Sequence, residues 1–516
     1  MAWSLFKRSA AKPAQPARAS GRHKRFALSA LARSFFDGAK TDRLRADWPS
    51  FPLDGCAIVR RNQRILVARS REQAANNDYA RAFIRGVRNN VVGANGVKLQ
   101  ARAINADGSL DQLANDAIER AWKQWGKRQH CDIAGRLNWS ELEKLLVTTA
   151  AKDGEFLVVM LEGADAGEWG FALQVLDPQY LPVDYDRDRM NDGHYIRHGI
   201  EMNQYGRPVA YHLQSHENNT KAYVWNSKSY QRIPAENVIH GYVSDFIGQY
   251  RGMPWMATAL WRMKSLNEFE NAALVNARTS ANKLGFFETE NGEEFDPDEE
   301  ELELNTQSGD FTVLPPGVKA PSSWDPGYPA GEFQTFSQQA LKGIASGLGM
   351  AYHNLASDLK GVNYSSGRLG ALEEREFWKD MQAWLIECLH HRVYERWLER
   401  ALLLGKIVTD HGKPLNASRK EKFLNVHWQP RRWDWVDPQK DMNAAANAMD
   451  KLLKSPGEII RSQGRDPDEV WREYSRDIDA MRKAGIPEDK INLFLTGATN
   501  AGTTGNEDNG SADQED

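Results

Sequence analysis

GLGMAYHNLASDLKGVNYSSGRLGALEER occupies positions 347–375, between two segments whose apolar residues recur at helical spacing. Upstream, Phe333, Phe336, Ala340, Leu341, Ile344 and Leu348 predict a helix ending near Met350. Downstream, Phe377, Met381, Trp384, Leu385, Cys388, Leu398 and Leu402 form one stripe, predicting a long helix from about Leu372 to Leu404. Between them, Gly361, Gly367 and Gly370 lower the cost of unusual backbone angles, so 361–370 is expected to be a loop. Lys360, Asn363, Tyr364, Ser365, Ser366 and Arg368 are compact donors suited to touching phosphates without reading bases. An ordinary surface loop would carry the same residue types. Glu373, Glu374 and Glu376 follow, where they would complement the positive end of the helix dipole.

Working outward, Pro254 suits a first helical turn, and Met256, Leu260, Met263, Ala273, Leu274, Ala277 and Ala281 continue at helical spacing. Between this helix and the next lies an insert with two short strand candidates, 286–289 and 311–314. An acidic run separates them: Glu293, Glu294, Asp296, Asp298, Glu299, Glu300, Glu301 and Glu303. The spacing fits no EF-hand loop, so a solvated acidic loop is expected. Before residue 254, helices are expected over 60–88, 110–127 and 139–152. Strands are expected at 155–161, 173–176, 195–201, 208–213, 222–225 and 238–240. The fold class is therefore α+β. Beyond residue 404, an aromatic stretch at 427–436 precedes helices over 441–453 and 467–484.

The order helix, acidic insert, helix, glycine-rich loop and long helix resembles the lambda-type portal proteins of tailed bacteriophages. The residues that carry the likeness are 347–375 with its N-Y-S-S at 363–366, NNVVGANG at 89–96, RGMP at 251–254 and PRRWDWVDP at 430–438. The resemblance implies a dodecameric ring subunit at one capsid vertex, in the virion and, during assembly, in the host cytoplasm. It implies a mobile basic arm over 1–48, an α+β wing over 49–252 and a first stem helix over 253–284. A clip over 285–330 and a second stem helix over 331–350 would follow. Then come a tunnel loop over 351–370 facing DNA, a tunnel helix over 371–404, wing completion and a helical crown over 405–495, and an acidic tail over 496–516. The implied partners are double-stranded DNA bound without regard to sequence, the terminase large subunit, the major capsid protein and scaffold, and a head-completion or adaptor protein.

The chain's 516 residues allow about three domains, and a formal net charge of −4 does not by itself argue for nucleic-acid binding. The charge is unevenly placed. Lys7, Arg8, Lys12, Arg18, Arg22, Lys24, Arg25 and Arg33 precede the first acid, Asp37, and no base follows Lys490. Pro13, Pro16 and many Ala and Ser residues give the start no core of its own, and glycine, asparagine, threonine and acids dominate from Thr496, so both ends are expected to be mobile. Cys56, Cys131 and Cys388 fit no zinc or disulfide pattern, which suggests a reducing compartment. No apolar run approaches a membrane span. P-loop, Rossmann, H-E-x-x-H and nucleophile-elbow signatures are missing, so no enzyme, cofactor or metal is expected. His390 and His391 are adjacent and would point to different sides of a helix; Cys388 sits on the apolar stripe. Two rival readings remain. One is a metal-dependent nuclease using Glu293, Asp296 and Glu299; the other is a monomeric DNA adaptor using the basic arm.

Overall fold

The computed structural model describes residues 43, 47, 49–190, 192–215, 229–281, 285–288, 311–314, 316, 332–361, 363–433 and 438–496. The chain divides into Met1–Asp54 and Gly55–Asp516, and the architecture below is that of the second unit. The acidic run 293–303, the strand expected at 222–225 and most of both termini lie outside the described residues.

The fold is α+β. Helices α1 (Gly55–Asn76) and α2 (Asp78–Val87) replace the single helix expected over 60–88. The break is local. Asn77 turns its side chain onto the amides of Tyr79 and Ala80 and starts a new helix there. Strand β1 (Lys98–Ala101), α3 (Gln112–Trp125) and α4 (Trp139–Asp153) follow. Asn138 and Glu141 form a reciprocal capping box at the start of α4.

Strand β2 (Glu155–Glu162) is the centre of a three-stranded antiparallel sheet between β3 (Phe171–Leu176) and β8 (Val238–Tyr242). Its successive side chains alternate between two cores. Phe156, Val158 and Met160 join the main core, while Leu157 and Val159 join a second one with Leu181, Ile200, Met202, Tyr211 and Leu213. The second core is shared with a four-stranded antiparallel sheet of β4 (Tyr195–Arg197), β5 (Ile200–Met202), β6 (Pro208–Ser215) and β7 (Ser229–Pro234). The segment 195–201, expected as one strand, is two. Gly199 at φ +79° and His198 at φ +53° make the turn between them. Strand β7 carries few apolar residues and escaped the sequence reading.

From the sheet the chain runs into α5 (Leu260–Ala281), which starts six residues later than expected. Residues 254–259 instead make tight turns, with the Ala257 amide on the Pro254 carbonyl and that of Ala259 on Met256. They do so because Trp255 is tied back to Ala151 O at 3.1 Å and Met256 is fully buried in the body. Strands β9 (Gly285–Glu288) and β10 (Phe311–Leu314) pair in parallel. Helix α6 (Glu332–Leu348) packs back on α5, with Phe269 against Phe333 and Phe336.

The long helix begins at Tyr364, not near Leu372: α7 (Tyr364–Leu385) continues through a π-turn (Ile386–His390) into α8 (His391–Leu403). Only its first turns lack a broad apolar stripe, which is why periodicity alone put the start late. The main core is built on tryptophans distant in sequence. Trp122 lies 4.8 Å from Trp125, 5.4 Å from Trp139 and 5.0 Å from Trp397, centroid to centroid. Strand β11 (Val426–Gln429) closes the body by pairing antiparallel with β1, Lys98 opposite Gln429. Four further helices follow among the described residues: α9 (Pro438–Asp450), α10 (Pro456–Ser462), α11 (Pro467–Lys483) and α12 (Glu488–Thr496). Of these, α10 and α12 were not foreseen.

Candidate functional site

The segment joining α6 to α7 is fixed at both ends. Gly349, at φ +64°, ends α6 in a Schellman turn: its amide reaches Ser346 O, and that of Met350 reaches Ala345 O at 3.1 Å. A one-turn helix, Tyr352–Ala356, comes next and is held by Glu374. The buried Glu374 carboxylate accepts from the Ala351 amide (3.1 Å), Asn354 Nδ2 (2.6 Å) and Trp378 Nε1 (3.0 Å). This corrects the dipole role expected for Glu373, Glu374 and Glu376. They stand in the third and fourth turns of α7, where the dipole has little reach, and Glu374 acts through directed hydrogen bonds.

The part held neither by Glu374 nor by a helix is therefore short. Asp358 accepts from the Lys360 amide at 2.9 Å and from Tyr352 Oη at 2.8 Å, and Gly361 takes φ +78° with open space about it. Lys360 and Asn363 are exposed. The Gly367 amide donates to Asn363 O at 2.9 Å, closing the first turn of α7. Tyr364, Ser365, Ser366 and Arg368, expected in a loop through residue 370, belong to that helix; the first three have side chains outside the described set. Arg368 is turned away from a loop role by its ion pair with Asp441 of α9 at 2.9 Å.

The most elaborate polar site was not singled out as such by sequence. It lies where α4 passes into β2 and the chain leaves the body for α5. Glu155 and Arg251 are each 1% exposed. Arg251 Nε donates to both Glu155 oxygens at 2.9 Å, and its terminal nitrogen reaches Oε1 at 2.5 Å. Gln63 Nε2 (3.1 Å), His240 Nε2 (3.0 Å) and the Gly252 amide (2.9 Å) complete the carboxylate's shell. The remaining guanidinium donors take the carbonyls of Leu181, His198 and Pro178. Burial works to raise the Glu155 pKa, but Arg251 and His240 outweigh it and hold the carboxyl well below its ordinary range. Burial lowers the pKa of His240 in spite of Glu155. Backbone packing seals the joint: a Cβ on Gly252 would fall on the Gly154 carbonyl, and one on Gly154, at φ +92°, on the backbone of Met253. The only sequence signal was the RGMP stretch at 251–254, whose arginine precedes a glycine and a proline at a chain exit.

Other groups with chemical potential have structural partners. His390 is fully buried with Nε2 2.6 Å from Glu143 Oε1, placed there by the π-turn, while His391 is exposed. Burial pushes the thiols of Cys131 and Cys388 up to about 12, which removes the nucleophilic thiolate at neutral pH. Asp192, His194 and Glu201 bring possible metal-ligand atoms within 4.8 Å of one another. Arg232 already supplies the cation, donating to both Glu201 oxygens at 2.7 and 2.9 Å and, with burial opposing, holding that carboxyl near 2. No helix among the described residues is long and apolar enough to cross a membrane.

These arrangements define an α+β body to which a helical pair is joined by a buried ionic clamp. Residues 41–382 match the lambda family of phage portal proteins, and the chain belongs to that family. It is 32% identical over 497 residues to a probable portal protein of Halomonas phage phiHAP-1, covering 94% of this chain and 92% of that one. The portal protein of Escherichia phage N15 is 21% identical over 465 residues, covering 81% and 84%. Portal protein B of Escherichia phage lambda is 20% identical over 408 residues, covering 72% and 74%. A chain from the neck of an empty gene transfer agent particle aligns at 13% identity with a TM-score of 0.41, over 82% of this chain and 97% of that one. The family makes the chain a portal protein of the head–tail connector type.

Proposed function

We propose that the chain assembles into a closed ring, of twelve copies, at one vertex of a phage capsid, and that duplex DNA enters and leaves along its axis. The observation that carries this is the clamped exit at Glu155–Arg251 followed by the paired helices α5 and α6, in a chain of the portal family. A rotationally closed, head-to-tail ring needs subunits whose projecting parts keep one angle to the body. The clamp would set that angle. In this reading 49–252 is the wing, 253–284 and 331–350 are the stem, 285–330 is the clip and 371–404 is the tunnel helix. Residues 405–495 complete the wing and build the crown. The tunnel loop shortens to a tip at Lys360 and Asn363, continued by Tyr364, Ser365 and Ser366 at the head of α7; Arg368 serves the fold. The terminase large subunit and a head-completion protein would dock outside the capsid shell, and the major capsid protein and scaffold would surround the wing.

Mass photometry of the purified chain tests the ring. A single species near twelve times the chain mass is expected, and a population that stays monomeric at high concentration overturns it. Incubation with Mg2+ and plasmid separates the structural reading from a nuclease: intact DNA is expected, whereas cleavage lost on replacing Glu293, Asp296 and Glu299 by Ala favours the enzyme.

A further inference from the structure

A cleft of about 640 Å3 lies between α7, the strap at 430–433 and the turn leading into α10. Among the described residues Arg375, Lys379, Arg432, Lys454 and Arg461 line it, with two carboxylates, Glu458 and Glu376, the latter paired with Lys379 at 2.5 Å. The whole chain is net acidic at −4, so this excess of cations departs from the average surface. His427 at its edge registers the charge. Burial first, then Arg102, Arg461 and Arg432, lower its pKa. The walls are fixed in place. Gln382 Nε2 donates to the carbonyls of Asn90 (2.8 Å) and Arg431 (3.0 Å), and Trp433 Nε1 donates to Asn90 Oδ1 at 3.0 Å. The guanidinium groups of Arg375 and Arg431 lie 5.8 and 5.6 Å from the Trp433 ring, within cation–π reach.

We propose that this cleft is a second DNA site, binding the phosphate backbone of a duplex without reading its sequence. The inference rests on the portal reading above for the identity of the polyanion. It adds a contact separate from the tip at Lys360 and Asn363. Arg375 lies eleven residues into α7, roughly 17 Å along its axis at 1.5 Å per residue. Arginine and lysine carried on separate elements suit the spread charge of a phosphate backbone.

The test is fluorescence anisotropy of the full-length chain with two unrelated 30-base-pair duplexes between about 50 and 200 mM salt. Lys454→Gln with Arg461→Gln should weaken both duplexes alike and reduce the salt slope by about one for each lost phosphate contact. Lys454→Arg with Arg461→Lys keeps the charges and should bind as wild type. Unchanged affinity and slope in the double glutamine variant would overturn the proposal. Equal loss in the charge-keeping variant would also overturn it, by showing that packing and not charge was removed. Displacement of DNA by poly-glutamate at matched charge, with the same sensitivity to both glutamine substitutions, would assign the cleft to an acidic polypeptide instead. Ring mass is read on the same samples. A missing ring counts against the portal reading, whereas a ring with undiminished DNA binding counts against the cleft alone.

Discussion

Replacing Arg251 by Met removes the cation from a carboxylate that is 1% exposed and leaves Glu155 with His240, Gln63 and the Gly252 amide. Breaking a buried pair by removing one partner costs about 3–5 kcal/mol, because the remaining charge stays desolvated. At roughly 2–4 °C per kcal/mol this is a fall in Tm of about 6–20 °C for the unit that contains the joint. Glu155→Gln should cost a similar amount, since it strands the guanidinium. Arg251→Met combined with Glu155→Leu should recover much of the loss, because apolar groups of similar volume need no partner. The pH dependence carries a sign. The folded carboxyl titrates well below its ordinary value, so its contribution is complete above the unfolded value of about 4.3 and is lost as pH falls below it. The gap in Tm between wild type and Arg251→Met should accordingly narrow below about pH 4. Scanning calorimetry from pH 3 to 8 measures all of this. A shift under about 2 °C at pH 7, or a gap that widens in acid, would refute the clamp.

Gly252→Ala should prevent the joint from closing, because its Cβ meets the Gly154 carbonyl; loss of soluble ring by size-exclusion chromatography is expected, and a normal yield would contradict the packing. Glu119 is raised to about 7, by burial first and by Asp466, against the Ala101 amide; stability should therefore decline as pH rises from about 4.3 towards 7. Glu119→Gln should flatten that decline and raise Tm at pH 8, as thermal melts across pH would show. Arg368→Ala breaks a partly exposed pair with Asp441 and should cost only about 0.2–1 kcal/mol, read as a small Tm change, with DNA affinity unaffected.

The elements that were legible in the sequence have strong local signals. The α+β class, the strand pair flanking the acidic run, and the helices carrying Phe333 to Leu348 and Phe377 to Leu402 all rest on periodicity. The errors fall where another force sets the boundary. Asn77 breaks α1 from α2 by capping, Met256 and Trp255 delay α5 by packing into the body, and the weakly apolar first turns of α7 hide its start. The candidate site was least legible. Lys360 and Asn363 are exposed, and Arg368 is committed to Asp441. The Glu155–Arg251 clamp could not be found by spacing, since 96 residues separate its halves and neither lies in a catalytic motif. Only the fold brings β2 beside the exit of the sheet.

The placement of these features has a mechanical logic. Buried ion pairs are poor sources of net stability, and apolar residues of the same size would often serve better. What a bidentate guanidinium adds is direction: Arg251 fixes Glu155, three carbonyl oxygens and the emerging chain in a single geometry. The connection after α6 is built differently. It is anchored by Glu374 at its base, and its exposed tip at Lys360, Gly361 and Asn363 has open space about Gly361. A subunit of the DNA-conducting ring proposed above would need both. The angle of the stem must be the same in every copy for the ring to close, whereas the groups nearest the passing polymer must yield to it. Rigid polar packing at residue 155 and a short tip at residue 360 divide those requirements within one chain.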